Sequence, residues 1–159
     1  MVTTTRKWSM LSNNGREAYK MAGRVFDRSN SLYVRNVPRK GRGVFANMRF
    51  KAGDVIDRAP TWGFDSEAAK LLDRTGILEY YFVRHDLHLK ERPLTGYVVF
   101  GLSSLMNHAS NPNAKRVWDD EESGVWVSIM AIKDIEVDEE ITHRYINMSA
   151  YPENIQFVD

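Results

Sequence analysis

Short segments rich in strand-forming residues follow one another along most of the chain and are separated by turns. Glycine, asparagine and aspartate provide those turns, for example at Ala52-Gly53-Asp54. The predicted strands are Leu32–Arg35, Gly43–Ala46, Val55–Arg58, Tyr97–Phe100, Ala114–Trp118 and Val125–Ile132. This pattern predicts a mostly-β fold with short helices.

Two segments have the spacing of amphipathic helices instead. The apolar stripe of the first consists of Ala18, Met21, Ala22 and Val25. We expect this helix to pack on the core; a contact with a substrate or with a second copy of the chain is the alternative. Asp65 or Ser66 is suited to begin the second helix, and Gly76 is expected to end it.

The composition narrows the class of protein. The 159 residues include 22 basic and 21 acidic ones, so the net charge of +1 gives no general attraction to nucleic acid or to an anionic membrane. The absence of cysteine excludes disulfides, zinc–cysteine clusters and thiol nucleophiles. No apolar run resembles a signal peptide or a membrane span. We therefore expect a cytoplasmic or nuclear protein without direct nucleic-acid or membrane partners.

Two groups of titratable residues suggest binding sites but are better explained as exposed loops. Asp119–Glu122 reads as a solvated hairpin turn, with attraction of a basic substrate tail as the alternative. His85 and His88 flank one carboxylate and have no further metal ligands nearby in sequence. We therefore predict no metal site.

Three local motifs point to chemistry. The first, within Arg39–Ala46, has the spacing G-x-G, which brings the backbone close to a ligand and exposes amide N–H groups. The second, within Ser104–Asn113, places Asn-His directly after an apolar run, where buried polar side chains need partners. The third, Asp134–Tyr145, is an acidic turn leading into a short strand. Each of them alone is explained as well by a turn or by packing.

Together, G-R-G-V-F-A, N-H-x-x-x-P-N and E-E-I-T-x-x-Y, in this order, resemble the SET domain of protein-lysine methyltransferases. Tyr80-Tyr81-Phe82 and Phe100-Gly101-Leu102 match two further stretches of that family. The resemblance is strongest to the minimal viral and bacterial members. It implies a β-clip fold of small sheets with a C-terminal pseudoknot. The expected parts are an N-terminal extension (1–30), the SET domain (31–146) and a tail (147–159) whose Tyr151 or Phe157 is a candidate lid.

The resemblance implies a reaction: transfer of a methyl group from S-adenosylmethionine to a lysine amine of a histone-like or other protein. Tyr145 matches the catalytic tyrosine, and Tyr80 is a second catalytic candidate, in the wall of the lysine channel. The implied cofactor-binding residues are Lys40, Gly41, Arg42, Gly43, Asn107 and His108. No general base stands in the motifs, so release of the lysine proton to water is our hypothesis, and His143 is expected to be structural.

Alternatives remain beside this interpretation. A SET-like module could bind a peptide or the cofactor without turnover, although the retained Tyr145 and Asn107 favour an enzyme. A nucleic-acid-binding β domain would need a larger basic stripe than Arg35, Arg39, Lys40 and Arg42 provide. A homodimer is an open expectation.

Four positions depart from the usual family pattern. Asp138 stands where glycine is usual, Ala109 where serine is common, and Ile146 where small residues or glycine are frequent. Arg42 replaces an aromatic residue of some minimal relatives, and this departure affects the expected shape of the lysine channel.

Overall fold

The computed structural model describes residues 30–84, 94–146 and Met148. The strands are β1 (Leu32–Val37), β2 (Gly41–Ala46), β3 (Val55–Asp65), β4 (Tyr81–Phe82), β5 (Leu94–Val99), β6 (Asn107–His108), β7 (Ala114–Glu121), β8 (Gly124–Ala131) and β9 (Glu140–His143). The same residues also contain one α-helix, α1 (Ser66–Leu72), and two 3-10 helices, Gly76–Glu79 and Leu102–Leu105. The predicted mostly-β fold with short helices is confirmed.

The strands form two sheets. The larger sheet has the order β4-β5-β3-β8-β7, and the smaller has the order β1-β2-β9-β6. In the smaller sheet, β9, the last of the described strands, lies between β2 from the start of the domain and β6 from its middle. β9 is antiparallel to β2 and parallel to β6. Residues far apart in sequence therefore meet around β9.

One large apolar cluster joins the two sheets. Val44 of β2 and Ile141 of β9 are fully buried in it, together with Val127 and Ile129 of β8. A smaller cluster lies under α1 and contains Phe64, Ala69, Leu78 and Tyr81. The larger cluster fixes the smaller sheet against the larger one, because burial of apolar surface is the main favourable term in folding.

Each of the six predicted strands overlaps an observed strand, but β3 is much longer than expected. It continues past Arg58 to Asp65. Pro60 does not interrupt it, because Pro60 lies at the point where the strand stops pairing with one neighbour and begins pairing with another. Residues up to Pro60 pair with β8, and residues from Thr61 pair with β5. The Pro60 carbonyl still accepts a hydrogen bond from Phe100 N–H at 3.1 Å. A proline at this transition therefore does not end the strand.

The helix α1 begins as predicted and ends earlier. The Asp65 carboxylate accepts hydrogen bonds from the N–H groups of Glu67 and Ala68, at 3.1 and 2.9 Å. The predicted end at Gly76 is wrong: the helix ends at Leu72, and Gly76 begins a 3-10 helix. The Thr75 hydroxyl caps this 3-10 helix, because it accepts a hydrogen bond from the N–H of Ile77 at 3.2 Å. A threonine cap signals the start of a new helix, which the spacing of the apolar residues did not reveal.

The hairpin turn expected at 119–122 is present, but it begins later, because β7 continues to Glu121 and pairs there with Gly124. Three of the four residues of this acidic run lie in β7 and contact arginines. Arg58 contacts Asp119 and Glu121, and Arg84, whose side chain is 5% exposed, binds Asp120 at 2.9 Å. The charge of the run is therefore largely balanced within the domain, which argues against its attracting a basic substrate tail.

Several expectations concern residues outside the described ones. These are the N-terminal helix with Ala18, Met21, Ala22 and Val25, the histidines His85 and His88, and the candidate lid residues Tyr151 and Phe157. In the part of the chain that the structure describes, no helix is long and apolar enough to cross a membrane.

The turn before β9 explains why glycine is usual at position 138. Asp138 has φ +66°, a left-handed conformation that costs most residues energy. Its N–H donates to the Ala46 carbonyl at 2.8 Å, and its carboxylate accepts a hydrogen bond from the Tyr33 hydroxyl at 2.8 Å. That hydrogen bond raises the pKa of Tyr33 above its ordinary value. Asp138 therefore adds a side-chain contact at a strained position.

We predict that Asp138→Ala lowers the free energy of unfolding by about 1 kcal/mol more than Asp138→Gly does. Both variants lose the contact with Tyr33, but only alanine retains the cost of the positive φ. Urea unfolding of the two variants measures the difference. Equal midpoints for the two variants would contradict a strained left-handed conformation at position 138.

Candidate active site

The G-x-G motif forms the start of β2, and its second glycine is required by a close approach. A Cβ atom on Gly43 would lie 2.7 Å from Oε1 of Glu140 and 2.9 Å from Nδ2 of Asn107. Gly41 has φ +78° and open space around its Cβ position. The turn before it closes through a hydrogen bond from Lys40 N–H to the Val37 carbonyl at 3.1 Å. The backbone at Gly43 therefore runs directly beside a polar pair.

That polar pair joins the second and third motifs. Asn107 of β6 donates from Nδ2 to Oε1 of Glu140 at 2.7 Å, and Asn107 itself is buried. The parallel pairing of β6 with β9 places Asn107 beside Thr142 and His108 beside His143. Glu140 was not among the residues singled out from the sequence. The alternation of β9, which puts Glu140 and Thr142 on one face, is the signal that could have found it.

The final asparagine of N-H-x-x-x-P-N holds β9 in place. Asn113 is buried; its side chain accepts the Thr142 N–H at 2.9 Å and donates to the Glu140 carbonyl at 2.8 Å and to Oε1 of Glu139 at 3.0 Å. A buried amide that satisfies several groups fixes the strand in one register. Asn113 is the last residue of the second motif but was not among the candidate site residues expected from the sequence.

The third motif brings Tyr145 to the Asn-His segment. Its backbone N–H donates to Nδ1 of His108 at 3.1 Å, and its hydroxyl donates to the Met106 carbonyl at 2.9 Å. The Tyr145 ring lies 5.5 Å from the His108 ring and 5.1 Å from the His143 ring, measured between centroids. The hydroxyl and ring positions are thus fixed by residues from two strands.

His143 lies behind Tyr145 in the core. Its side chain is fully buried and its ring packs 5.1 Å from that of Phe82. Burial, together with the positive charge of Arg116, lowers the pKa of His143 to about 3. Neither ring nitrogen makes a hydrogen bond of normal geometry, although the backbone of Arg144 and Met106 lies close enough to offset part of the shift. The imidazole is therefore neutral at physiological pH.

Tyr80 lies at the end of the first 3-10 helix and contacts the G-x-G motif. Nη2 of Arg42 donates to the Tyr80 hydroxyl at 2.9 Å, and the guanidinium lies 5.5 Å from the centre of the Tyr80 ring. The structure thus brings Asn107, His108 and Tyr145 together, and it joins Tyr80 to the site through Arg42. Within the described ranges, no group of three or more histidine and acidic residues is placed to hold a metal ion.

Comparison with known proteins gives one family and related folds. The SET domain family matches residues 41–146, more than half of the chain. A histone-lysine N-methyltransferase of Schizosaccharomyces pombe, specific for H3 lysine-37, is 27% identical over 114 residues, which cover 72% of each chain.

Two solved structures share the fold. One is a Plasmodium falciparum protein provisionally described as a histone methyltransferase, with a TM-score of 0.56, 22% identity, and coverage of 75% of this chain and 96% of that one. The other is the Neurospora SET domain protein DIM-5, a histone lysine methyltransferase, with a TM-score of 0.58 and 21% identity. The match covers 81% of this chain and 57% of DIM-5. With all three motifs inside the matched residues, the chain belongs to the SET-domain family of protein-lysine methyltransferases.

Proposed function

We propose that the chain transfers a methyl group from S-adenosylmethionine to a lysine side chain of a protein and releases S-adenosylhomocysteine. One observation carries the proposal: the Asn107 side chain contacts Glu140 on one face of the small sheet, whereas the Tyr145 ring, just past the end of β9, packs on His108 and His143 of the other face. A donor molecule and an acceptor lysine could approach from opposite faces, which is the alignment that an in-line displacement needs.

The face with Gly43, Asn107 and Glu140 fits the polar end of the cofactor. Asn107 supplies an amide and Glu140 a carboxylate, groups that suit a ligand carrying both an ammonium and a carboxylate. The missing side chain at Gly43 leaves its backbone uncovered beside them. Lys40, Gly41 and the backbone of Arg42 continue this edge, and the backbone of His108 is the proposed adenine contact.

The face with Tyr145 is the proposed acceptor side. When bound, S-adenosylmethionine supplies a methyl group on a positively charged sulfonium. Because the Tyr145 hydroxyl donates to the Met106 carbonyl, its oxygen can accept a hydrogen bond from a lysine amine and so orient it. Tyr80 is the proposed second wall of the lysine channel. His143 is a poor candidate base because its nitrogens are buried, so we retain release of the lysine proton to water.

The substrate is proposed to be a histone or histone-like protein, and the site of action the nucleus or chromatin. The support is the Schizosaccharomyces pombe relative, which acts on histone H3. A homodimer, and the absence of a direct nucleic-acid contact, remain predictions. The alternative of a SET-like module without turnover would keep cofactor or peptide binding and lack methyl transfer.

Calorimetric titration with S-adenosylmethionine tests the cofactor site. We predict saturable binding to the wild type and an affinity about tenfold lower for Asn107→Ala, because Glu140 loses its buried partner and the ligand loses an amide. Asn47→Ala is the control, since the Asn47 side chain is exposed and donates only to the Asn30 carbonyl. If the wild type and Asn107→Ala had equal affinities, Asn107 would not belong to the cofactor site. If the folded wild type did not bind at all, S-adenosylmethionine would not be the cofactor.

A further inference from the structure

The side chain of Arg42 lies on the acceptor face, although its backbone belongs to the candidate cofactor edge. Side chains alternate along a strand, and the Cβ position of Gly43 faces Asn107 and Glu140. Arg42 therefore shares the opposite face with Val44, which is fully buried and pairs with Ile141. This places the guanidinium away from the cofactor residues.

The register of β2 against β9 brings Arg42 towards Tyr145. Continuing the antiparallel pairs Val44–Ile141 and Phe45–Glu140 places Arg42 across from His143, whose ring contacts that of Tyr145. The Arg42 side chain also donates to the hydroxyl of Tyr80. Arg42 thus contacts one of the two tyrosines proposed to receive the lysine, Tyr80, and its side chain extends from the strand face that leads towards the other.

The charge of Arg42 has no acidic partner among the described residues. Its contacts there are the hydroxyl and the ring of Tyr80, and the side chain is exposed. A guanidinium has five N–H donors, so most of them are available to a ligand. A carboxylate is the group that matches this fork of donors, whereas another cation would be repelled.

From these placements we infer that Arg42 is a specificity-determining residue that selects a substrate lysine with an acidic neighbour. A carboxylate next to the target lysine binds the Arg42 guanidinium at the mouth of the proposed channel. A lysine flanked by arginine or lysine on that side brings like charges together. A histone site with such basic neighbours would therefore be a poor substrate.

Two peptide pools test this inference. Each has a central lysine in random sequence, with glutamate fixed on both sides of it in one pool and arginine in the other. We predict that the wild type, with S-adenosylmethionine, methylates the acidic pool about five to ten times faster, a modest factor because the ion pair is partly exposed. Arg42→Glu is expected to cancel or reverse this ratio.

Arg35→Glu is the matched control. Arg35 lies in the same hairpin, but its guanidinium is 3.7 Å above the ring of Phe45 and, by its pairing with Gly43, belongs to the other face. For this variant, the ratio of the methylation rates of the acidic and basic pools should stay within about twofold of the wild-type ratio. Equal methylation of both pools by the wild type, or the same change in both variants, would overturn the inference.

A binding measurement separates this inference from the proposed methyl transfer on which it rests. The same pools, labelled with fluorescein, are titrated with wild type, Arg42→Glu and Arg35→Glu in the presence of S-adenosylhomocysteine. If the wild type prefers the acidic pool, and only Arg42→Glu removes that preference, the role of Arg42 is supported even when no methyl group is transferred. A missing methyl transfer would then contradict the proposed reaction alone. Equal binding of both pools overturns the role of Arg42.

Discussion

Tyr145→Phe is expected to lower the rate of methyl transfer about 100- to 1000-fold, the usual size of losing one positioned polar group in an active site. The phenyl ring can keep the contacts with His108 and His143, and the backbone N–H can keep its hydrogen bond to Nδ1 of His108. Only the hydroxyl that contacts the Met106 carbonyl is lost. A single-turnover assay at saturating S-adenosylmethionine measures the rate.

Tyr33→Phe is the matched control for this experiment. Its hydroxyl also makes one hydrogen bond, to Asp138, but its ring stacks on Phe45 at the opposite end of β2 from the G-x-G motif. We expect Tyr33→Phe to transfer methyl groups at nearly the wild-type rate. The affinity of Tyr145→Phe for the cofactor should lie within about twofold of the wild-type affinity. A Tyr145→Phe protein with the wild-type rate would remove the hydroxyl from the mechanism.

Acidification should destabilise the wild type through His143. The folded-state pKa of about 3 lies below the ordinary value of 6.5, so between these values the unfolded chain binds a proton that the folded chain does not. Stability is therefore intact above about pH 6.5 and is lost as the pH falls towards 3. The free energy of unfolding then falls by up to about 1.4 kcal/mol for each unit of pH. Between pH 6.5 and 4.5 the total loss is about 2–3 kcal/mol.

His143→Phe isolates this contribution. Phenylalanine is similar in shape, has no proton to gain, and leaves no unpartnered ring nitrogen in the core. Urea unfolding at pH 7.5, 5.5 and 4.5 should give a difference between wild type and variant that grows in favour of the variant as the pH falls. The carboxylates also change the stability as the pH falls, but they are the same in both proteins, so their contribution cancels in that difference. Parallel curves for the two proteins would show that His143 does not resist protonation in the fold.

The strands were predictable from sequence because their signal is local. β1, β2 and β8 are short runs of β-branched and aromatic residues bounded by turn residues, and they occur where that pattern placed them. The extension of β3 was not predictable, because whether Pro60 ends a strand depends on which neighbour it faces. The acidic residues of β7 were misread because their partners, Arg58 and Arg84, are distant in sequence.

The residues of the candidate site were identified by motif, and the C-terminal pseudoknot implied by the family resemblance placed the Asn-His segment beside Tyr145; local periodicity could not show that arrangement. Asn107, His108 and Tyr145 meet because β6 is parallel to β9, a long-range pairing without a local signature. The same pairing makes Glu140 the partner of Asn107. The two faces of the small sheet, and the position of the Arg42 side chain on the face opposite Asn107 and Glu140, follow only from the pairing of the strands.

Transfer of labelled methyl from S-adenosylmethionine to core histones, followed by hydrolysis and identification of the labelled amino acid, tests the central claim most directly. We predict label in methyl-lysine with the wild type and almost none with Tyr145→Phe. Label in another amino acid, or equal labelling by the two proteins, would contradict lysine methylation at the site formed by β2, β6 and β9.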